Sequence, residues 1–339
     1  AGRRSPRGFT LPSALRRANA SSAIWMLAPP NRPRCAWLPS YLCETIVHGF
    51  QAADTPIKFF PVDSCLRVVD DTWLSQVADG DLVLRINYFG FINHDPIFSA
   101  ARARGACLVD DAAQALLTAG VGRDAEFTIF SPRKFLGVPD GGCLVPKSAA
   151  ALREAQLAVA PSSWWNHASE YAQGSRTFKQ TGVETDWFAE FQAAERSAPI
   201  GPYAMSEVSR ELLDNAFDYD AIAQTRRENF LELARHLAEF ALFSDLPAGV
   251  VPLGFPVVVA ERDRVRQALF AEKIYPPVHW AIEGTIPASF AASHQLARSV
   301  MTLPCDQRYH LGDMRRMAQA FLKTRPVRPP TLTANANSA

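Results

Sequence analysis

The residues best placed to do chemistry lie between Leu108 and Leu144. An apolar run, Ala106-Cys107-Leu108-Val109, ends in two carboxylates, Asp110-Asp111. A second run, Phe127-Thr128-Ile129-Phe130, leads into Ser131-Pro132-Arg133-Lys134, and Gly137 with Gly141-Gly142 precedes a third, Cys143-Leu144-Val145. Short apolar runs bounded by turn residues read as buried strands, so an aspartate and a lysine are delivered by neighbouring strand ends. That is where α/β enzymes keep their reactive groups. A lysine near apolar strand ends, beside an arginine, has its ammonium form disfavoured and can serve as a free amine that attacks a carbonyl. An aspartate facing it can keep a pyridinium nitrogen protonated, the condition under which such a ring acts as an electron sink. On spacing alone the plainer reading prevails: a surface lysine in a turn, as most lysines are exposed.

The wording of the segment changes that balance. VDDAAQ, GRDAEFTIFSPRK and PDGGCL, in this order, resemble the DegT/DnrJ/EryC1/StrS family of fold-type I pyridoxal-phosphate enzymes, best known as nucleotide-sugar aminotransferases. The resemblance implies that Lys134 carries the cofactor as a Schiff base, that Asp111 binds the pyridine nitrogen and that Gln114 sits near the phenolic oxygen. The family's phosphate-binding Ser-Gly-Thr segment has its counterpart at Asn19-Ala20-Ser21, which makes Ala20 and Ser21 candidate phosphate contacts; as a bare pattern the same residues are an ordinary helix cap.

Cys35 to Cys43 resembles the family's strand, proline and aromatic segment. Strict alignment puts Cys43 at the ring-stacking position and Tyr41 two residues earlier; Tyr41 is the candidate stacker, with a core aromatic as the equal alternative. The chain also departs from the pattern. Ile129 stands where a phosphate-binding serine is usual, leaving Ser131 as substitute, and Pro202 and Ala204 replace an asparagine and an arginine of which the first reaches across a dimer. The interval from Gln114 to Asp124 is shorter than usual. The implied member is a divergent one, with its nucleotide-sugar substrate in doubt.

Positioning these groups requires strands at regular intervals. Ala36 to Pro39, Ile57 to Val62 and Asp81 to Ile86 read as further strands, with helices over 44–53, 70–77 and 96–104 between them. Strands alternating with helices imply right-handed crossovers and an α/β fold with a mostly parallel sheet flanked by helices. A helix is expected over 148–158, a loop-rich stretch with Trp164, Trp165, His167 and Trp187 over 161–186, and a helix over 187–196. One long amphipathic helix is expected over 212–240. Strand 252–259, helix 262–272, an edge strand or loop at 275–280, helix 291–299, strand 300–303 and helix 311–323 then make a small C-terminal α/β domain. His279 and Trp280 face either its core or the cleft.

The bulk properties fit such an enzyme. The chain has 339 residues, is 48% hydrophobic and has a formal net charge of +1, so neither nucleic acid nor an anionic membrane surface is a favoured partner. Apolar runs fall short of a membrane span. Cys35, Cys43, Cys65, Cys107, Cys143 and Cys305 lack paired or metal-type spacing, which reads as reduced thiols in a cytoplasmic protein; no metal site is expected. Residues 1–18, Arg-rich and without acids, read as an N-terminal arm, residues 19–210 as the large cofactor domain, 211–325 as the small domain and 326–339 as a disordered tail. The implied protein is a homodimer in carbohydrate biosynthesis that moves an amino group from a small-molecule donor to a keto sugar. Two alternatives stay open: elimination or decarboxylation on the same fold, against which the retained lysine speaks because the dehydratase branch carries histidine there, and a non-catalytic regulator or scaffold.

Overall fold

The computed structural model describes residues 15–27, 33–148, 157–183 and 185–329. Its strands are β1 (Leu15–Arg17), β2 (Ala36–Pro39), β3 (Ile57–Phe60), β4 (Leu82–Ile86), β5 (Cys107–Asp111), β6 (Phe127–Phe130), β7 (Gly142–Pro146), β8 (Phe255–Val258) and β9 (Val300–Leu303). The helices are α1 (Ala20–Trp25), α2 (Glu44–Gln51), α3 (Ile97–Ala103), α4 (Ser162–Thr181), α5 (Trp187–Arg196), α6 (Glu207–Asn215), α7 (Tyr219–Leu237), α8 (Arg262–Ala271), α9 (Ala291–Ser299) and α10 (Leu311–Lys323).

Seven strands form one sheet in the order β1-β7-β6-β5-β4-β2-β3. The pairs from β3 to β6 are parallel, and β7 runs antiparallel to both β6 and β1. All five residues of β4 are buried, as expected of a strand covered on both faces. The cores follow the pleat: Ile129 and Leu144 join the cluster that holds Ile24, Leu38 and Phe50, whereas Phe130 and Cys143 join another with Leu116, Phe135 and Met205. A third core, of Phe230, Leu233, Phe255, Val257, Met301, Met314 and Phe321, lies between α7, α10 and the antiparallel pair β8-β9. Each such enclosed side chain contributes about 1.5 to 3 kcal/mol.

Four expectations need correction. The stretch 161–186 is not loop-rich: Ser162–Thr181 is one 20-residue helix, which follows Pro161 and stops at Gly182 in a left-handed turn (φ 72°). Its many Ser, Asn, Gln and Thr residues hide the apolar stripe. That stripe, with Trp164 and Ala168, is completed by Ala194 of α5 and Ala18; the Trp164 indole donates to the Ala194 carbonyl at 3.0 Å, so this tryptophan covers a core edge.

The long helix expected over 212–240 is two. Asp218 accepts from the Ala221 amide at 3.0 Å and starts α7 afresh, a cap whose cost of removal would be about 1 kcal/mol. The arm expected to fray over 1–18 is, at Leu15–Arg17, the edge strand of the sheet. Residues 149–156, most of the helix expected over 148–158, lie outside the described residues, as do most of the arm and the end of the tail. Ala158 is in a bridge with Tyr203 rather than helical.

Candidate active site

The pleat separates the two adjacent carboxylates. Asp110 is level with Arg85 on β4 and Asp111 with Ile86, and successive side chains on a strand point to opposite faces. Asp110, fully buried, takes a bidentate pair from Arg85 at 2.6 and 3.0 Å and the Gly122 amide at 3.0 Å. Its role is structural. Asp111, only 7% exposed, has one carboxylate contact, the Ala113 amide at 2.8 Å, and its backbone carbonyl accepts from the Asn87 amide. Burial pushes its carboxyl above the usual carboxylate range, and the positive charge of Lys134 opposes that shift.

Lys134 closes a short 3-10 turn after β6, where its amide donates to the Ser131 carbonyl at 3.1 Å. Its side chain is open to solvent, not enclosed by apolar strand ends as the sequence suggested. It feels two groups: Asp111 and the His279 ring. Burial, then Lys134, lowers His279 to about 3, so this imidazole is neutral at neutral pH. The ring lies 5.7 Å from that of Phe89, edge to face. His279 therefore packs against Phe89 within charge range of Lys134.

Gln114 is 2% exposed. Its side-chain oxygen accepts from the Phe89 amide at 2.7 Å, while its Nε2 has no partner. The Phe89 amide is aimed there by a tight turn with left-handed Phe89 (φ 54°) and Gly90 (φ 104°); a Cβ on Gly90 would lie 2.4 Å from the Val251 carbonyl oxygen. Ser131 is buried, and its hydroxyl makes no hydrogen bond among the described residues.

The turn into α1 packs directly on the sheet. A Cβ on Gly142 would lie 2.2 Å from the Asn19 carbonyl oxygen and 2.6 Å from the Ala20 nitrogen, so glycine is what admits this peptide. Asn19 caps the helix, its side chain accepting from the Ser22 amide at 2.9 Å. Ala20 and Ser21 lie in the first turn, and the Ser21 hydroxyl already donates to the Thr45 carbonyl at 3.2 Å.

Tyr41 is placed differently from a cofactor-stacking ring. It is fully buried, its centroid 6.0 Å from Tyr88 and 5.1 Å from Trp280, and its hydroxyl donates to the His279 carbonyl. A ring covered in this way has no free face, so the core-aromatic reading describes it. Cys43, the strictly aligned alternative, is half-buried with its thiol 3.1 Å from the Thr45 hydroxyl.

Asp111, Ser131 and Lys134 therefore lie at or just beyond the C-terminal ends of the neighbouring strands β5 and β6, with Gln114 in the loop after β5 and Tyr41 in the core. Sequence reasoning missed Arg17. This residue is 0% exposed, and none of its three guanidinium nitrogens has a hydrogen-bond partner. The signal available was slight: one arginine in an Arg-rich segment that reads as an arm. An amine, a buried carboxylate within its charge range and buried donors without partners among the described residues suit a carbonyl-binding heterocycle with acidic and anionic substituents.

No protein-family model matches the chain, and no curated protein sequence does. Solved structures do share its architecture. The protein Spr1654 from Streptococcus pneumoniae, in its pyridoxal-phosphate form, superposes with a TM-score of 0.68 at 14% identity, over 92% of this chain and 87% of its own. A DegT DnrJ EryC1 StrS aminotransferase from Brucella abortus gives 0.62 at 15%, over 91% and 85%. The Escherichia coli GDP-4-keto-6-deoxy-D-mannose-3-dehydratase with bound hydrated pyridoxal phosphate gives 0.62 at 14%, over 91% and 87%. At these identities what is shared is the fold, a fold-type I α/β architecture with a mostly parallel sheet.

Proposed function

We propose, from that shared fold as premise, that the chain is a divergent DegT/DnrJ/EryC1/StrS aminotransferase that uses pyridoxal 5'-phosphate to move an amino group from a small-molecule donor to a keto sugar or related carbohydrate. The observation that carries this reading is the buried carboxylate of Asp111 within charge range of the exposed amine of Lys134. The residues fit the cofactor. Asp111 keeps a carboxylate oxygen without a partner among the described residues, Gln114 Nε2 is an orphaned buried donor and the Ser131 hydroxyl is unengaged. A ring N–H, a phenolic oxygen and a phosphate are the complementary groups.

When bound, the cofactor supplies an electron sink. Asp111 would hold the proton on the ring nitrogen, a task suited to a carboxylate whose charge is otherwise penalised by burial. Gln114 would orient the ring through its Nε2. Ser131 and the backbone amides of Ala20 and Ser21 would hold the phosphate. The Lys134 Nζ would be the amine that holds the cofactor's carbonyl and the base that takes and returns the proton of the substrate's α carbon. His279, neutral beside it, adds no competing positive charge.

Amino transfer is favoured over elimination because position 134 is lysine. A division into a large domain of 19–210 and a small one of 211–325, work as a homodimer and a cytoplasmic location belong to the same proposal; among the described residues no helix is long and apolar enough to cross a membrane. The test is spectroscopic. Purified protein reconstituted with pyridoxal phosphate should show a visible band that amino donors bleach and a keto acceptor restores, and Lys134→Ala should abolish it. Wild-type protein that stays colourless ends this reading.

A further inference from the structure

We propose that Arg17 is the oxyanion receptor of this site and that the anion it takes is a phosphomonoester, the cofactor phosphate on the functional reading above. The pleat places it. Leu144 is level with Ile129 and Ile129 with Asp111, so these three share one face of the sheet. Two residues before Leu144, Gly142 is level with Arg17, and the same register puts Gly142 level with Ser131. Arg17, Gly142 and Ser131 thus form a row on the face of Asp111, at the edge where the parallel strands end.

Gly142 carries no side chain, and the Asn19-Ala20 peptide that opens α1 lies over it. The row therefore brings together a guanidinium and an unengaged hydroxyl, both of which donate to oxyanions. From β1 to β5 is three strand spacings, roughly 14 Å, a gap that an arginine side chain, a phosphate and a pyridine ring laid end to end can bridge.

A structural role leaves Arg17 unexplained. Buried charges are ordinarily paired, and this chain obeys that rule elsewhere. Arg85 has Asp110, and Arg226 donates to the carbonyls of Phe135, Pro252 and Leu253. Arg16, its neighbour on the opposite face, pairs with Asp214 at 2.7 Å. Arg17 has no hydrogen-bond partner, and the residue across from it in the bridge that extends the sheet is Ala204, which offers none.

The test compares wild type, Arg17→Met and Arg17→Lys without relying on turnover. Affinities for pyridoxal 5'-phosphate and for pyridoxal are measured by quenching of tryptophan fluorescence. Thermal midpoints are measured with inorganic phosphate, with 2-oxoglutarate and with chloride at equal ionic strength. The expected result is that Arg17→Met loses about 10- to 100-fold in affinity for pyridoxal phosphate with pyridoxal binding unchanged, loses the stabilisation by phosphate, and is at least as stable as wild type without ligand. Arg17→Lys keeps part of the phosphate effect, and carries the test if the methionine variant does not fold. Equal affinity of wild type and Arg17→Met for pyridoxal phosphate overturns the proposal, and stabilisation by 2-oxoglutarate in place of phosphate overturns the choice of anion. Phosphate that stabilises wild type but not Arg17→Met, in a protein that never binds pyridoxal, upholds the anion site and fails only the cofactor reading.

Discussion

Neutralising Asp110 and Asp111 one at a time should give opposite results, although the two are identical side chains at adjacent positions and each change replaces one carboxylate oxygen by an amide nitrogen. In Asp110→Asn the bidentate partner of Arg85 is lost, with both side chains buried (7% and 0% exposed). Removing one member of a buried pair strands the other and costs about 3 to 5 kcal/mol, a large part of the about 5 to 15 kcal/mol that holds a domain folded. In Asp111→Asn the single contact, from the Ala113 amide at 2.8 Å, is kept by the amide oxygen, and an ionised group disfavoured by burial is removed. Stability should then stay within about 1 kcal/mol of wild type, while the spectrum of bound pyridoxal phosphate is lost or shifted. Urea unfolding read at constant m gives the first quantity, and a cofactor titration the second. Replacing the pair together, Arg85→Met with Asp110→Leu, should cost well under the sum of the single changes. The reasoning is refuted if Asp110→Asn is silent in urea, or if Asp111→Asn unfolds as early as Asp110→Asn yet still binds cofactor with the wild-type spectrum.

Gly142→Ala places a methyl 2.2 Å from the Asn19 carbonyl oxygen, which should cost about 1 to 3 kcal/mol and weaken pyridoxal-phosphate binding by displacing the start of α1; unchanged stability in urea would show that the two segments are not in contact. His279 is held near 3 in the folded chain against about 6.5 unfolded, so the unfolded chain takes up the proton first. Stability of the ligand-free protein should fall as pH drops from about 6.5 towards 3, with a slope from this residue of at most about 1.4 kcal/mol per pH unit. His279→Gln should remove that part of the slope, and parallel wild-type and variant curves between about pH 6 and 4 would count against it.

Much of the fold is legible along the chain because local rules act there. The apolar runs at 107–111 and 127–130 are too short and too evenly buried to be helices, and α9, β9 and α10 fall where caps and periodicity put them. The stretch 161–186 failed for the converse reason: α4 is mostly polar, and its apolar stripe is recognisable only against α5. The split between α6 and α7 depends on one capping aspartate within a pattern that otherwise runs through.

The sequence by itself determined strands β2 to β7, the order of Asp111, Gln114, Ser131 and Lys134 and the chemistry open to them, since residue type, strand period and turn chemistry are short-range properties. Tertiary structure decided which of two adjacent carboxylates is free, that Tyr41 has no open face, that His279 is within charge range of Lys134, and that Arg17 has no hydrogen-bond partner among the described residues. These are matters of which side chains meet across strands distant in the chain. Burial and pairing are set by neighbours that sequence order does not specify.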